Sequence, residues 1–410
     1  MSVTPEHARG GRRSATGWVV VTGILVLLGA SAVAVWFALR PVEGGGPAPV
    51  VPGAPTPEPT PSPSDDAWAG WSLEEQVGQV FMVGVDVASP QQVSTDAIRQ
   101  DHVGNLFLQN RTHAGAAPTR TLVDSFTALV SDATTHGTPL LVATDQEGGQ
   151  VQVLQGPGFS TIPAAVDQAQ LDPADLRAQA TTWGGELAGV GVDLNLAPVM
   201  DLVPDQATAG SNPPVGALGR SYGFTPGTVT SHANAFADGM RAAGVDVAIK
   251  HFPGLGRVTE DTDSADGVTD TVTTRDDASV DVFRSGIEAG AECVMVSTAV
   301  YSRIDPGTPA AFSSTVVGGM LRGDLGFDGL VVTDDLSGAE QVAAWSPGDR
   351  AVLALDAGVD LVLVSKDPTV AHAMVTAVLG RARADAAFRA KVEAAARRVL
   401  ETKGQWPPGP

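Results

Sequence analysis

The stretch Val245-Asp246-Val247-Ala248-Ile249-Lys250-His251-Phe252-Pro253-Gly254-Leu255-Gly256 (residues 245–256) joins an apolar run to two polar side chains and a turn. The run 245–249 predicts a parallel strand that is buried on both faces. Lys250 and His251 stand at the end of that strand, where both polar heads point toward one place. Pro253 and the glycines after it predict a sharp turn. We therefore expect a buried strand that delivers functional groups to a loop; the alternative is a surface turn that carries Lys and His by chance.

Eight short apolar runs alternate with longer helical patterns along the chain. They are Gln79–Val85, Val103–Leu108, Leu140–Thr144, Val192–Leu196, Val245–Ile249, Cys293–Ser297, Leu330–Thr333 and Asp360–Val364. Eight strands that alternate with helices over about 340 residues predict a single (β/α)₈ TIM barrel of the α/β class, and a doubly wound sheet is the alternative. Ser72 and Glu75 form a capping-box pattern for a first helix, and Ala382–Lys403 predicts a closing helix.

The composition narrows the classes of function. The chain has 46 acidic and 25 basic residues, a formal net charge of −21. An acidic body repels phosphate backbones, so we expect no nucleic-acid partner. Cys293 is the only cysteine, which excludes an intramolecular disulfide and a cysteine-based metal cluster. Its apolar neighbours predict that Cys293 is buried and inert.

A long uncharged segment, Trp18–Leu39, precedes the barrel pattern. At about 1.5 Å per residue a helix of this length reaches roughly 33 Å, enough to cross a hydrocarbon core of about 30 Å. Residues 1–17 carry most of the flanking positive charge, which predicts a cytoplasmic N-terminus and an extracytoplasmic body. Residues 18–39 are therefore predicted to be a single-pass transmembrane helix in the cell membrane. A cleaved signal peptide, which would leave a secreted protein, is the alternative.

Residues 40–66 are rich in Pro, Gly, Ser and Thr. This composition cannot build a core and predicts an extended, polyproline-like linker. The remaining residues, 67–410, form the predicted barrel domain. A barrel held away from the membrane suits a substrate outside the bilayer, such as cell wall.

Polar side chains follow four of the predicted strands, at the barrel end where such folds carry their chemistry. They are Asp145, Gln146 and Glu147 after the third run, Asn195 and Asp201 after the fourth, Lys250 and His251 after the fifth, and Asp334 and Asp335 after the seventh. Carboxylates, a Lys and a His at one rim are costly to desolvate together. The pattern therefore predicts a functional site rather than a merely structural rim.

Five stretches in this order resemble glycoside hydrolase family 3, specifically its single-domain β-N-acetylhexosaminidases of the NagZ type. They are Asp145-Gln146-Glu147-Gly148-Gly149, Gly191 to Val199, Leu218-Gly219-Arg220-Ser221-Tyr222-Gly223, Lys250-His251-Phe252-Pro253-Gly254, and Leu325 to Ser337. The resemblance implies a (β/α)₈ barrel and a retaining hydrolase of β-linked N-acetylhexosamine, typically from peptidoglycan fragments. We expect a glycan substrate that contains N-acetylglucosamine, and neither a cofactor nor a metal.

The resemblance assigns the nucleophile to Asp334, the first Asp of its Asp-Asp-Leu motif. A retaining glycosidase needs a carboxylate that attacks the anomeric carbon and forms a covalent glycosyl-enzyme. The alternative is that Asp334 and Asp335 act as a helix cap and a first-turn acid, which we favour for Asp335 alone.

Four residues match the family's sugar-binding positions: Asp145, Arg220, Lys250 and His251. Charged groups strengthen hydrogen bonds to sugar hydroxyls, so these side chains are the predicted grip on the substrate. A surface salt bridge for Arg220 and a loop cap for Asp145 are the simpler alternatives.

The sequence also departs from the family at three positions. The resemblance implies a His at position 265 as the acid/base, a second sugar-contacting Arg at 153 and a His at 298, whereas this chain has Ala265, Val153 and Thr298. The nearest substitutes for the missing acid are Glu260, Asp261, Asp263 and Asp266, since burial or a neighbouring carboxylate raises a carboxyl pKa. Asp263 is the first candidate, and a solvated flexible loop is the alternative. The spacing Asp261-x-Asp263 begins like a calcium loop, but Ala265 and Gly267 do not continue it.

Three functions remain open from the sequence. The first is a tethered, extracytoplasmic hydrolase of β-N-acetylglucosaminides. The second is a barrel that binds cell-wall sugar and hydrolyses it poorly or not at all, which the missing His favours. The third is a family 3 hydrolase of a neutral β-glycoside such as a glucoside.

Overall fold

Eight parallel strands form a nearly closed barrel in the computed structural model, which describes residues 68–405. The strands are β1 (Phe81–Asp86), β2 (Asn105–Gln109), β3 (Leu141–Thr144), β4 (Leu194–Asn195), β5 (Asp246–Phe252), β6 (Cys293–Val296), β7 (Leu330–Thr333) and β8 (Val362–Val364). Strands β1 to β7 pair in parallel in chain order, and β8 pairs in parallel with β1. An isolated parallel bridge between Val332 and Leu361 connects β7 to the start of β8. This circular order confirms the α/β barrel and excludes an open doubly wound sheet.

All eight predicted runs coincide with barrel strands, although their bounds differ. The fifth strand extends three residues beyond its apolar run, so Lys250 and His251 belong to the last part of β5 rather than to the loop. Both side chains are nevertheless buried, at 2% and 4% exposure. The fourth strand is shorter than its run because only Leu194 and Asn195 pair with both neighbours.

Helices connect successive strands. The longer ones are Leu73–Gln79, Gln92–Asp101, Ala116–Thr127, Pro173–Gly189, Pro226–Ala242, Ala278–Glu288, the π-helix Thr315–Asp324, Pro347–Ala357, Ala371–Ala384 and Ala386–Thr402. Short α-helices span Asp132–Thr135, Ala165–Gln168 and Gln206–Ala209, and 3₁₀ turns span Gly216–Leu218, Ala310–Phe312, Glu340–Val342 and Pro368–Val370. Short strands outside the barrel are Gln146–Gly148 with Val151–Gln152, and Thr269–Asp270 with Val300–Tyr301 and Asp305–Pro309.

Side chains of the strands alternate between two hydrophobic layers, because successive residues of a strand point to opposite faces. In β3, Leu141 and Ala143 join the cluster inside the barrel, whereas Val142 packs in the layer shared with the helices. Cys293 of β6 lies in the inner cluster with no exposed surface, as predicted. Burial raises the pKa of its thiol well above the ordinary value.

The first helix begins as predicted. Ser72 and Glu75 exchange both capping-box hydrogen bonds, from Ser72 N to Glu75 Oε2 at 2.7 Å and from Glu75 N to Ser72 Oγ at 3.2 Å. The predicted closing helix Ala382–Lys403 is wrong in its start. The chain leaves the helical conformation at Asp385, whose carboxylate accepts from the backbone N–H groups of Ala387 and Phe388 and so starts a new helix.

Within residues 68–405, none of the helices is both long enough and apolar enough to cross a membrane. The predicted transmembrane helix 18–39 and linker 40–66 lie outside the described residues.

Candidate active site

A cavity of about 280 Å³ opens at the carboxyl ends of the barrel strands. Its lining contains all six side chains that the sequence predicted for the site, namely Asp145, Arg220, Lys250, His251, Asp263 and Asp334. These residues come from the segments that follow β3, β4, β5 and β7 and from the end of β5 itself. The parallel barrel therefore brings together groups that are up to 189 positions apart in the chain, from Asp145 to Asp334.

Lys250 is the most deeply placed of these groups. Its Nζ lies 2.5 Å from Oδ1 of Asp145 and 2.7 Å from Oε1 of Glu147. Burial disfavours the charged ammonium, but the negative charges of Asp145 and Glu147 outweigh it, and the pKa of Lys250 is raised. The amine is therefore a cation at neutral pH.

Arg220 is held by the same glutamate. Its Nε donates to Oε2 of Glu147 at 2.9 Å and its Nη2 donates to Oε1 at 2.7 Å, while Nη1 donates to the carbonyl of Pro214 at 2.6 Å. Burial raises the pKa of Glu147, but the charges of Arg220 and Lys250 overcome it and lower the pKa to about 2. The Glu147 carboxylate thus orients two of the four predicted sugar-binding residues, Arg220 and Lys250.

Glu147 received no role in the sequence analysis, although it stands in the quoted Asp145-Gln146-Glu147 motif. The available signal was its spacing, because residues two apart in an extended segment point to the same side. Gly148 then turns the chain with a positive φ of 106°, and a Cβ there would meet the carbonyl oxygen of Pro163 at 2.2 Å. Only glycine fits this close approach.

His251 is oriented by Asp201, a second residue to which the sequence gave no role. Oδ2 of Asp201 lies 2.7 Å from His251 Nδ1, and Oδ1 accepts from the backbone N–H groups of His251 at 3.1 Å and Leu255 at 2.7 Å. Since the carboxylate can only accept, Nδ1 carries the proton. Nε2 is then the free ring nitrogen, and it lies 3.4 Å from Nη2 of Arg220.

The turn after β5 packs tightly against the segment that carries Asp201. A Cβ on Gly256 would lie 2.0 Å from the carbonyl oxygen of Leu202. The predicted turn therefore needs a glycine at 256 because of this backbone contact, which places Leu255 N–H on the Asp201 carboxylate.

Asp334 and Asp335 differ in their surroundings. Asp334 is half-buried and lines the cavity, and burial raises the pKa of its carboxyl, while the neighbouring His251 and Lys250 oppose that rise. Asp335 also borders the cavity but is only 6% exposed, and its oxygens accept hydrogen bonds from Ser337, Gly338 and Ser365. Asp335 therefore ties the segments after β7 and β8 together. It does not cap an α-helix, because the next one begins only at Pro347.

The acidic loop after β5 divides into two groups. Asp261 and Asp263 line the cavity, whereas Glu260 and Asp266 are exposed residues outside its lining. Although Asp263 as a whole is exposed, the cavity wall partly desolvates its carboxyl, and the nearby charges of Asp334 and Asp261 act in the same direction. Together they raise its pKa to about 7.

The three positions that depart from the family pattern are all partly or fully buried. Ala265 is half-buried against the hydrophobic core. Val153 is 7% exposed and lines a shallow recess beside Asp145. Thr298 is fully buried, and its hydroxyl has no hydrogen-bond partner within residues 68–405. In the same range, no three His, Cys, Asp or Glu side chains are grouped as a metal site would require.

A (β/α)₈ barrel with several carboxylates at its mouth is one of the architectures on which glycoside hydrolases are built. The chain belongs to glycosyl hydrolase family 3, because residues 72–402 match the family's N-terminal domain. This match spans nearly all of the described residues and includes every residue of the site.

Three proteins named as hexosaminidases or glucosaminidases are similar to most of this chain. The chain is 62% identical to a β-N-acetylhexosaminidase from Beutenbergia cavernae DSM 12333, whose crystal structure superposes with a TM-score of 0.81 over 82% of this chain and 99% of that one. It is 31% identical to a family 3 β-N-acetylglucosaminidase from Paenibacillus sp. str. FPU-7, with a TM-score of 0.73 over 82% of this chain and 62% of that one. It is also 34% identical over 311 residues to a β-hexosaminidase from Xylella fastidiosa (strain 9a5c), covering 74% of this chain and 88% of that protein.

Proposed function

We propose that this chain is a retaining β-N-acetylhexosaminidase that removes terminal β-linked N-acetylhexosamine from cell-wall-type oligosaccharides. The observation that carries the proposal is the cavity itself, which unites the carboxyls of Asp334 and Asp263 with a ring of charged hydrogen-bonding groups. The activities named for its relatives from three bacteria support the same reaction.

In the first step Asp334 is the nucleophile. One of its carboxylate oxygens attacks the anomeric carbon, and the bond from that carbon to the leaving oxygen breaks as the covalent glycosyl-enzyme forms. The electron pair of the broken bond takes up a proton from Asp263, the general acid. His251 and Lys250 favour the ionised form of Asp334, which is the form that this step consumes.

In the second step Asp263 acts as the general base. It accepts a proton from water while the water oxygen attacks the anomeric carbon, and the bond to Asp334 breaks. Two neighbouring carboxyls that resist simultaneous ionisation suit this division of labour. A pKa of about 7 keeps part of Asp263 protonated at neutral pH for the first step, and the loss of that proton leaves the carboxylate that the second step needs.

Asp145, Arg220, Lys250 and His251 hold the sugar. Arg220 and Lys250 are cations that both pair with the Glu147 carboxylate. Their N–H groups that do not bond to protein acceptors donate to the sugar's hydroxyl oxygens. Asp145 accepts from sugar hydroxyls. The cavity volume of about 280 Å³ is large enough for one sugar ring.

Turnover of two aryl glycosides tests the proposal against its alternatives. The full-length protein is given aryl β-N-acetylglucosaminide and aryl β-glucoside at matched concentrations. We expect rapid release of the phenol from the β-N-acetylglucosaminide and none from the β-glucoside. Preference for the glucoside would identify a neutral β-glycosidase. Binding of N-acetylglucosamine without turnover of either substrate would identify a sugar-binding barrel.

We further propose that residues 18–39 anchor the protein in the cell membrane as a single-pass helix, with residues 40–66 as a linker and the barrel, residues 67–410, outside the cytoplasm. The uncharged length of the segment and the basic residues before it support this topology. A cleaved signal peptide is the alternative and would give a secreted protein.

A further inference from the structure

The acid loop, defined as residues 259–267, follows β5 but is held by segments that follow β7 and β8. The backbone N–H of Gln341 donates to the carbonyl of Thr262 at 3.1 Å. The side chain of Gln341 also bonds both the N–H and the carbonyl of Val268, at 2.7 and 3.1 Å. Gln341 is 5% exposed, so the C-terminal end of the loop is tied to the protein interior.

The middle of the loop is held by Lys366, which lies just after β8. Its Nζ donates to the backbone carbonyl of Asp263 at 2.9 Å. Lys366 also lines the cavity. This bond fixes the main chain of Asp263 and leaves the carboxyl of that residue free to turn toward the cavity.

The path of the Lys366 side chain depends on a glycine. A Cβ on Gly338 would lie 2.9 Å from both Cγ and Cδ of Lys366. The aliphatic stem of the lysine therefore occupies space that any other residue at position 338 would fill.

Asp335 holds Gly338 and the end of the segment that carries Lys366 in place. Its carboxylate accepts from the backbone N–H of Gly338 at 2.8 Å and from that of Ser365 at 2.8 Å. The residue next to the candidate nucleophile thus positions the glycine that leaves room for the lysine and the strand end that carries it.

We propose that Lys366 is a positioning residue for proton transfer, which holds the acid loop over the cavity through the carbonyl of Asp263. The proposal rests on the role proposed above for Asp263 as acid/base. Lys366 acts on Asp263, through its main-chain carbonyl and through its own positive charge, and not on the sugar bond itself.

Lys366 also balances the charges around the acid. Asp334 and Asp335 face Asp263 from the end of β7, Asp261 faces it from its own loop, and Lys366 faces it from the end of β8. Burial and the three carboxylates raise the pKa of Asp263, whereas Lys366 lowers it. The other charged groups of the cavity, on the β3, β4 and β5 side, are Asp145, Arg220, Lys250 and His251. Once Asp263 has given up its proton, Lys366 is the cation beside the new carboxylate.

The test is a Lys366→Met variant of the full-length protein, which keeps the stem and removes the charge. Turnover is measured with β-N-acetylglucosaminides whose leaving groups range from a nitrophenol to a sugar. We expect a loss of about 10-fold for the sugar leaving group, a fraction of the roughly 10²–10⁴-fold that a positioned general acid contributes. The nitrophenyl substrate, which needs little protonation, should lose far less. The falling limb of the pH profile should move to higher pH, because the cation that lowered the pKa of Asp263 is gone.

Two further variants make the outcome decisive. Lys391→Met removes an exposed lysine of the final helix that pairs with Asp356. Lys391 lies outside the cavity lining, so this variant should change neither measurement. Gly338→Ala displaces the Lys366 stem while keeping its charge, and should give the same dependence on the leaving group with a smaller loss.

Equal losses on all substrates, or an unmoved pH profile in Lys366→Met, would overturn the positioning role. Asp263→Ala separates this failure from failure of the proposed function. If Asp263→Ala loses activity in a leaving-group-dependent way and Lys366→Met does not, only the role of Lys366 is wrong. If Asp263→Ala shows no such dependence, the acid assignment itself is wrong.

Discussion

Arg220 and Glu147 form a two-point ion pair beside the cavity, with Nε to Oε2 at 2.9 Å and Nη2 to Oε1 at 2.7 Å. Lys250 shares the same carboxylate at 2.7 Å. A planar guanidinium that is gripped at two points has its remaining N–H groups aimed in set directions. The geometry of the proposed sugar pocket therefore depends on Glu147, which stands behind the groups that we propose to bind the sugar.

Glu147→Gln should weaken both catalysis and folding. Removing one partner of a buried ion pair costs about 3–5 kcal/mol, because the other charges are left uncompensated. We expect a clearly lower Tm, and a loss of about 10²-fold in kcat/KM from misplacement of Arg220 and Lys250. Glu401→Gln, on an exposed pair with Arg397, is the matched control and should change neither quantity.

The contribution of the Arg220–Glu147 ion pair to the stability of the fold depends on pH. The pKa of Glu147 is lowered from its usual 4.5 to about 2, so its ionised form stabilises the fold fully above about pH 4.5. That contribution is lost as the pH falls toward 2. The Tm of the native protein should fall more steeply over this pH interval than the Tm of Glu147→Gln. Parallel curves of Tm against pH would contradict the assignment.

Asp334→Ala should lower turnover by several orders of magnitude while the fold remains intact, because the covalent step has lost its nucleophile. A mechanism-based fluorosugar should label the native protein at Asp334, as read by peptide mass analysis. Asp335→Ala is the informative neighbour. It should lower Tm through loss of the bonds to Ser337, Gly338 and Ser365. A label on any other carboxylate would reject the nucleophile assignment.

Asp263 should give the rate its pH dependence. A general acid works while it is protonated, and the pKa of Asp263 is raised to about 7. The kcat/KM for a glycoside with a sugar leaving group should therefore fall as the pH rises through about 7. Asp263→Ala should abolish that fall, spare nitrophenyl substrates and cripple natural ones. Asp266→Ala, in the same loop but outside the cavity lining, serves as the control. If it reproduces the effect, the donor has been misassigned.

Cell fractionation tests the anchor. The full-length protein should require detergent for extraction, and protease added outside the cell should release the barrel by cutting between Pro41 and Asp66. A soluble mature protein that begins near Val42 would instead indicate signal cleavage.

The barrel was predictable because buried parallel strands leave a strong signal, eight apolar runs separated by helical patterns. Asp145, Arg220, Lys250, His251 and Asp334 were predictable because each sits in a recognisable motif, and all five line the cavity. Their catalytic and binding roles stay predictions.

Other features of the site were not predicted, because the partners of the side chains depend on contacts between distant segments. Glu147 and Asp201 act through partners 73 and 50 positions away, and a single sequence does not reveal which cation or ring each carboxylate meets. The break at Asp385 was missed because the Ala- and Arg-rich pattern continues across it. That Asp261 lines the cavity beside Asp263, whereas Glu260 and Asp266 do not, likewise required the path of the acid loop.

Because Cys293 is buried, the reactivity of its thiol reports how often the barrel opens. Its thiol is sealed among the side chains inside the barrel, and it is the only thiol of the chain. A thiol-reactive dye can therefore modify the protein only when the barrel opens, and the labelling rate reports the population of opened molecules. Every variant described above can be ranked by this one reaction, with no engineered probe, and a catalytic defect can be separated from a folding defect in the same sample.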